Sequence, residues 1–214
     1  MLAQIIRYFQ TSSAEYWGYV GQHLFLSLTS LIIAMLIAFP LGYLGSRNNA
    51  VAAFCQTFSQ LLRIIPSLAL LFILIPIMGA GVIPALIALV VLALPPLVVN
   101  TILGFNEVSP VLKEVGLSLG MDQRQLLKQI LLPLALPYIL NGVKLALVEI
   151  ISSATLATYI GAGGLGTLIF TGLGLYKMQY VVIGAVSVAL LSLLSMFLMD
   201  WVIRKVREDD QNNY

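Results

Sequence analysis

Arg63 and Glu149 are ionisable side chains set among apolar neighbours: Leu61-Leu62 and Ile64-Ile65 flank the first, Leu147-Val148 and Ile150-Ile151 the second. A charge near the centre of a membrane-spanning helix costs roughly 2.5–3.5 kcal/mol even on a lenient insertion scale, so each needs a partner or water. Three arrangements meet that need. The two can form a structural ion pair, with each other or with Lys144. Glu149 can instead serve as a transient counter-ion for a cationic solute, with Arg63 lining the same route. The side chains can also snorkel toward an interface.

Other reactive residue types are scarce. His23 is the only histidine and Cys55 the only cysteine, which excludes an internal disulfide, a thiolate cluster and a multi-histidine metal site. His23 is expected to be a polar residue at a helix mouth rather than a pH sensor. Gly161, Gly163 and Gly166 satisfy G-x-G-x-x-G, but a dinucleotide site needs a preceding strand and an acid about 20 residues on. Here the glycines follow an apolar run, and no acid lies near Ala185. They are read as small residues permitting close helix approach or a re-entrant turn. No G-x-x-x-x-G-K-[ST] occurs, so ATP hydrolysis by that loop is excluded, and no nucleophile–base pair suggests an enzyme. No cofactor and no metal are expected.

The elements that must hold these residues are apolar. Of 214 residues 60% are hydrophobic and 9% charged, with a mean hydropathy of +0.99. Soluble domains carry about 25% charged residues, so the lipid bilayer is this chain's solvent. A net charge of +2, without a basic run interleaved with aromatics, gives no case for nucleic acid.

A crossing needs roughly 20 apolar residues. Five segments qualify: Leu24 to Leu44, Ala50 to Ile77 (interrupted by Pro66), Pro84 to Leu103, Leu136 to Tyr159 and Tyr180 to Ile203. Pro40, Pro66 and Pro95-Pro96 lie inside these spans and are expected to bend them. The first twenty residues lack the features of a cleaved signal peptide, and Tyr8, Phe9, Tyr16, Trp17 and Tyr19 suit a membrane–water interface. Phe170, Tyr176 and Tyr180 read as interface anchors too. The expected organisation is an extracytoplasmic or interfacial segment over 1–21, a transmembrane domain over 22–203 and a cytoplasmic tail over 204–214.

Five crossings put the termini on opposite sides. With the C-terminus inside, Arg47, Lys113, Arg124, Lys128, Arg204, Lys205 and Arg207 are all cytoplasmic, and only Arg7 and Lys177 are outside. Cytoplasmic loops retain Lys and Arg, so the N-terminus is expected outside.

The stretch from Phe105 to Leu132 is the longest between spans. Ser109-Pro110 reads as a helix start, with Val111, Leu112, Val115 and Leu119 on an apolar stripe. Gly120 ends that helix, and Asp122 caps a second one leading to Pro133.

Within this stretch Glu114-Val115-Gly116, Gly120, Ile130, Leu132 and Pro133 are spaced as E-x-x-x3-G-x9-I-x-L-P. This resembles the cytoplasmic "EAA" motif of binding-protein-dependent ABC importer permeases, with Val115 and Gly116 in place of the two alanines. Further stretches resemble the osmoprotectant branch, which serves glycine betaine, carnitine and choline. They are Arg63 to Leu70, Ile75-Pro76, Gly79, Gly81, Pro84-Ala85, Pro95, Asn100-Thr101, Gly104, Ala154 to Ala157 and Ile160 to Gly166. Methionine permeases share the Arg-x-Ile-Pro and Gly-Ala-Gly-Gly-Leu-Gly elements and form the alternative. An ATP-independent carrier or channel is the rival from another class.

The resemblance implies an all-α, type I permease fold with five transmembrane helices and a cytoplasmic coupling helix. It implies a transport subunit in a bacterial cell membrane, working by alternating access. Its partners would be ATP-binding cassette ATPase subunits, a second permease copy or paralogue, and an extracellular solute-binding protein. Lys113, Glu114, Val115, Gly116, Gly120, Ile130, Leu132 and Pro133 would form the ATPase-coupling element.

Overall fold

The computed structural model describes residues 2–212, with side chains described through Glu208. Among the described residues every regular element is helical: α1 (Leu2–Arg47), α2 (Asn49–Ile64), α3 (Ser67–Met78), α4 (Val82–Glu107), α5 (Pro110–Ser118), α6 (Gln123–Leu126), α7 (Leu132–Ala154), α8 (Gly166–Gly174) and α9 (Met178–Asn212). A π turn over Leu127–Leu131 joins α6 to α7, and a 3-10 turn over Leu156–Ile160 follows α7.

Helices α1, α4, α6–α7 and α9 are each long and apolar enough to cross a bilayer. The remaining crossing is broken. Helices α2 and α3 meet at 92°, not as the single kinked span expected over Ala50 to Ile77. The cause is local. Ile65 precedes a proline, and steric clash with the ring holds it extended at ψ 121°, where no helix continues. The pair still traverses the fold. Gly45, just before α2, abuts Ile102 near the end of α4, whereas Gly81, just after α3, donates to Ile160 O at 2.6 Å beside the start of α4. Five crossings result.

The N-terminal segment is helical. It continues the first span as one 46-residue helix, bent only at Ser12 (φ −133°, ψ 25°). Tyr8 is buried against Leu165, Leu168 and Ile183, and its ring meets Tyr180 edge-on at 5.3 Å. Tyr16 shares a 2.9 Å hydrogen bond with Ser187 of α9. The Tyr19 hydroxyl donates to Glu15 at 2.7 Å, which with burial pushes its pKa up to about 12.

The core forms where α4 lies between α1 and α7, and small residues allow it. A Cβ at Gly42 would press on Thr101, one at Gly104 on the carbonyl of Ala135, and one at Gly142 on Asn100 and the carbonyl of Pro96. Such close backbone approach is how helices associate where no hydrophobic driving force separates them from lipid. Pro95 and Pro96 lie inside α4, and just after them Asn100 Nδ2 donates to Pro96 O at 2.8 Å and Thr101 Oγ1 to Leu97 O at 2.7 Å.

The two ends of the bundle differ in charge. Arg47 donates to Gln123 at 3.0 Å, and Lys113 to Phe105 O at 3.4 Å, so the α1–α2 connection and the α5–α6 region share one end. Arg204, Lys205 and Arg207 lie beyond Asp200, whose partner Lys144 is on α7, and so at the end where α7 begins. Lys177 covers the Tyr180 ring at 5.5 Å, beside Tyr8, which puts Arg7 and Lys177 together at the other end.

Candidate functional site

Helix α5 lies outside the spans and is built to present a surface. Pro110 occupies its first turn, where a missing N–H does no harm. The Ser109 side chain makes no capping bond. At the other end Gly120 adopts φ +83°; its N–H donates to Leu117 O at 3.0 Å and that of Met121 to Gly116 O at 3.1 Å. This is the Schellman closure, which requires a left-handed residue at that position. Asp122 then starts α6 with a full capping box, its carboxylate accepting from Arg124 N at 2.8 Å and Gln125 N at 2.7 Å.

The motif residues divide into two groups. Gly116 is buried, and a Cβ there would reach Leu126 Cδ1 at 2.8 Å and Ile130 Cδ1 at 3.0 Å, so α5 packs tightly onto the helix leading into α7. Pro133 cannot donate to the preceding turn, and the π turn just before it absorbs that change of register. Gly116, Gly120, Ile130 and Pro133 thus fix the shape, while Leu132 is partly exposed beside them. Glu114 and Val115 point outward, and Lys113 is held half-buried by Phe105 O. Val111, Leu112, Leu117 and Leu119 are exposed as well, Leu119 by 75%. An exposed apolar face of this kind marks a protein or membrane interaction surface.

The second feature is a cavity of about 530 Å³ at the α2–α3 break, between α4, α7 and α9. Arg63, Lys144 and Glu149 line it, with Leu62, Ile65, Leu92, Leu145, Val148 and Met196 as aliphatic walls. The ion pair expected of Arg63 and Glu149 does not form. Lys144 is taken by Asp200 of α9 at 2.8 Å, the only ion pair among the described residues. Glu149 has only a 3.5 Å contact from Ser153 Oγ. Both Arg63 and Glu149 are exposed on the surface of the single chain. Three ionisable side chains lining one groove are costly to leave facing hydrocarbon, so the groove faces water or a second protein.

Sequence reasoning passed over Asp200, although an acid inside the fifth apolar run was the available signal. It also misplaced His23, which is fully buried rather than at a helix mouth. Its Nε2 donates to Ile151 O at 3.0 Å, a carbonyl that the change from α7 to the 3-10 turn leaves free, since Thr155 N turns to Ser152 O. Gln22 beside it accepts from Gly164 N at 3.0 Å, which ties α1 to the glycine-rich stretch. That stretch turns through Gly161, Gly163 and Gly164 at positive φ and starts α8, a helix not anticipated. It is a structural turn, with no strand before it.

Comparison with known proteins agrees with this geometry. Residues 30–208 match the family described as the binding-protein-dependent transport system inner membrane component. The carnitine transport permease protein OpuCB of Listeria monocytogenes is 40% identical over 193 residues, covering 90% of this chain and 88% of that protein. The glycine betaine/carnitine/choline transport system permease protein OpuCB of Bacillus subtilis is 35% identical, covering 95% and 94%. Among solved structures, an inward-facing form of the MetNI methionine ABC transporter superposes with a TM-score of 0.78 at 24% identity, over 89% of this chain and 95% of that one. At that identity the likeness establishes the fold: a type I ABC importer permease. The chain is therefore a multi-pass membrane protein belonging to the binding-protein-dependent transport system inner membrane component family.

Proposed function

We propose that this chain is the membrane-spanning subunit of an ATP-driven importer for quaternary ammonium osmoprotectants: glycine betaine, carnitine and choline. The observation that carries the substrate class is the near full-length similarity to permeases named for those solutes, at 35–40% identity. The methionine alternative rests on the shared Arg-x-Ile-Pro and Gly-Ala-Gly-Gly-Leu-Gly elements and on fold likeness. An ATP-independent carrier has no use for an exposed, rigidly capped α5.

The partners follow from the same surfaces. Helix α5 is the coupling helix and seats in a groove on an ATP-binding cassette ATPase, with Val111, Leu112, Val115 and Leu119 as apolar contacts and Glu114 at the rim. A second permease copy or paralogue covers the charged groove, and an extracellular binding protein delivers the solute. The segregation of Arg47, Lys113, Arg124, Lys128, Arg204, Lys205 and Arg207 at one end supports a cytoplasmic α5 and C-terminus, with the N-terminal segment outside, in a bacterial cell membrane. Residues 1–21 form the outer segment, 22–203 the transmembrane domain and 204–214 the tail, with residues 1, 213 and 214 outside the described residues. ATP binding closes the ATPases, α5 moves with them, and the spans switch the opening from inside to outside.

The test is ATP hydrolysis by the assembled transporter with its binding protein. Glycine betaine, carnitine or choline should stimulate it and methionine should not. Stimulation by methionine alone would move the chain to the other branch.

A further inference from the structure

The groove at the α2–α3 break holds opposite charges that the fold leaves unspent. Lys144 and Asp200 satisfy each other at 2.8 Å, whereas Arg63 and Glu149 line the same cavity without pairing. The prolines add to this polarity. Pro95 and Pro96 have no N–H to give to the carbonyls four residues earlier, at Val91 and Leu92, and Leu92 is itself a lining residue. The remaining walls are apolar apart from Ser67.

Resting on the osmoprotectant reading above, we infer that this cavity is a transit site for zwitterionic solutes, in which Arg63 holds the carboxylate and Glu149 faces the quaternary ammonium. A guanidinium presents a planar fork that matches a carboxylate in two parallel hydrogen bonds. A trimethylammonium has no N–H to donate. It is held by charge and by packing of its methyl groups, which a carboxylate among Leu145, Val148 and Met196 provides. A volume of about 530 Å³ falls within the range of small-ligand pockets. The site needs no aromatic cage, because a route must bind weakly enough to release its cargo.

The inference separates solutes that the family reading groups together. Glycine betaine and carnitine carry a carboxylate; choline carries a hydroxyl in its place. Arg63 therefore matters for the first two and Glu149 for all three.

The experiment uses the complete transporter in proteoliposomes, with its unmodified binding protein, and measures uptake of radiolabelled glycine betaine and choline per assembled complex. Arg63→Gln should lower betaine uptake about tenfold or more, the loss expected for one charge-assisted bidentate contact, and leave choline within about twofold. Glu149→Gln should lower both. Arg63→Lys keeps the charge without the fork; it should restore part of the betaine uptake and still shift the ratio toward choline, which carries the test if Arg63→Gln fails to assemble. Equal loss of betaine and choline in both Arg63 variants would overturn the inference and make Arg63 a structural or inter-subunit contact. Unchanged uptake in Arg63→Gln and Glu149→Gln would overturn it as well. If the wild-type transporter moves neither solute, the osmoprotectant reading fails and this inference falls with it.

Discussion

Replacing Gly120 isolates backbone geometry from packing. The residue sits at φ +83°, and a Cβ built there meets nothing within 4 Å. Substitution therefore causes no clash, and the whole penalty comes from placing an L-residue in the left-handed region, about 1–2 kcal/mol. That is a factor of about 5–30 between the native turn and its alternatives. The turn is also the Schellman closure that sets the end of α5, so losing it frees the Leu117 and Gly116 carbonyls and swings Leu119 off the docking face. Gly120→Ala should weaken ATPase association by about that factor. Gly120→Asn should do less harm because asparagine visits this region readily, and Gly120→Val more because a β-branched residue does so least. The assay is co-purification of the ATPase with tagged permease, alongside ATP-dependent uptake and the permease level in the membrane. The level should hold, because the turn lies outside the spans. Wild-type co-purification and uptake in Gly120→Ala and Gly120→Val would refute the reasoning. So would an asparagine variant as damaged as the valine one.

Glu114→Lys reverses the charge on the docking face and should reduce ATPase co-purification without reducing the amount of permease in the membrane. Removing the His23 donor in His23→Leu leaves Ile151 O unpaired and should destabilise the purified protein by about 1–3 kcal/mol, seen as a lower melting temperature in detergent. Gly166→Ala would drive a Cβ into the Thr155 carbonyl and should abolish folded protein, whereas Gly174→Ala meets nothing within 4 Å and should be neutral. With Cys55 replaced by alanine, cysteines at Ser13 and Ser118 should react with impermeant reagents from opposite sides, Ser118 from the cytoplasm; labelling of both from one side would remove the five-span topology.

The spans were legible because each is an apolar run of the necessary length, and α5 because Ser109-Pro110, Gly120 and Asp122 are punctuation with local causes. Gly120 needed only its position between two helices to be recognised as a turn, and its positive φ is the structural counterpart. What could not be read depends on neighbours distant in sequence. Pro66 announces a bend, but whether the helix kinks or breaks depends on Ile65 finding room to extend. The partner of Lys144 was settled by α9 packing beside α7, which brings Asp200 within 2.8 Å and leaves Glu149 without it. His23 looked like a mouth residue because nothing local reveals a free carbonyl 128 positions away. The first helix extends through Tyr8 and Tyr16 because those rings pack on Tyr180 and against Ser187, contacts that no window of the sequence contains. The glycine-rich stretch gave the right residue types, but helix α8 after it was hidden in a run equally suited to a turn.

The central claim is that this chain conducts quaternary ammonium solutes only when coupled through α5 to ATP hydrolysis. Its most direct test is uptake of labelled glycine betaine into proteoliposomes holding the full complex, with ATP inside and loaded binding protein outside. Accumulation against a gradient that needs all three of ATP, the binding protein and an intact α5 is the result this account predicts. Equal uptake without ATP, or with the Glu114→Lys permease, would contradict it.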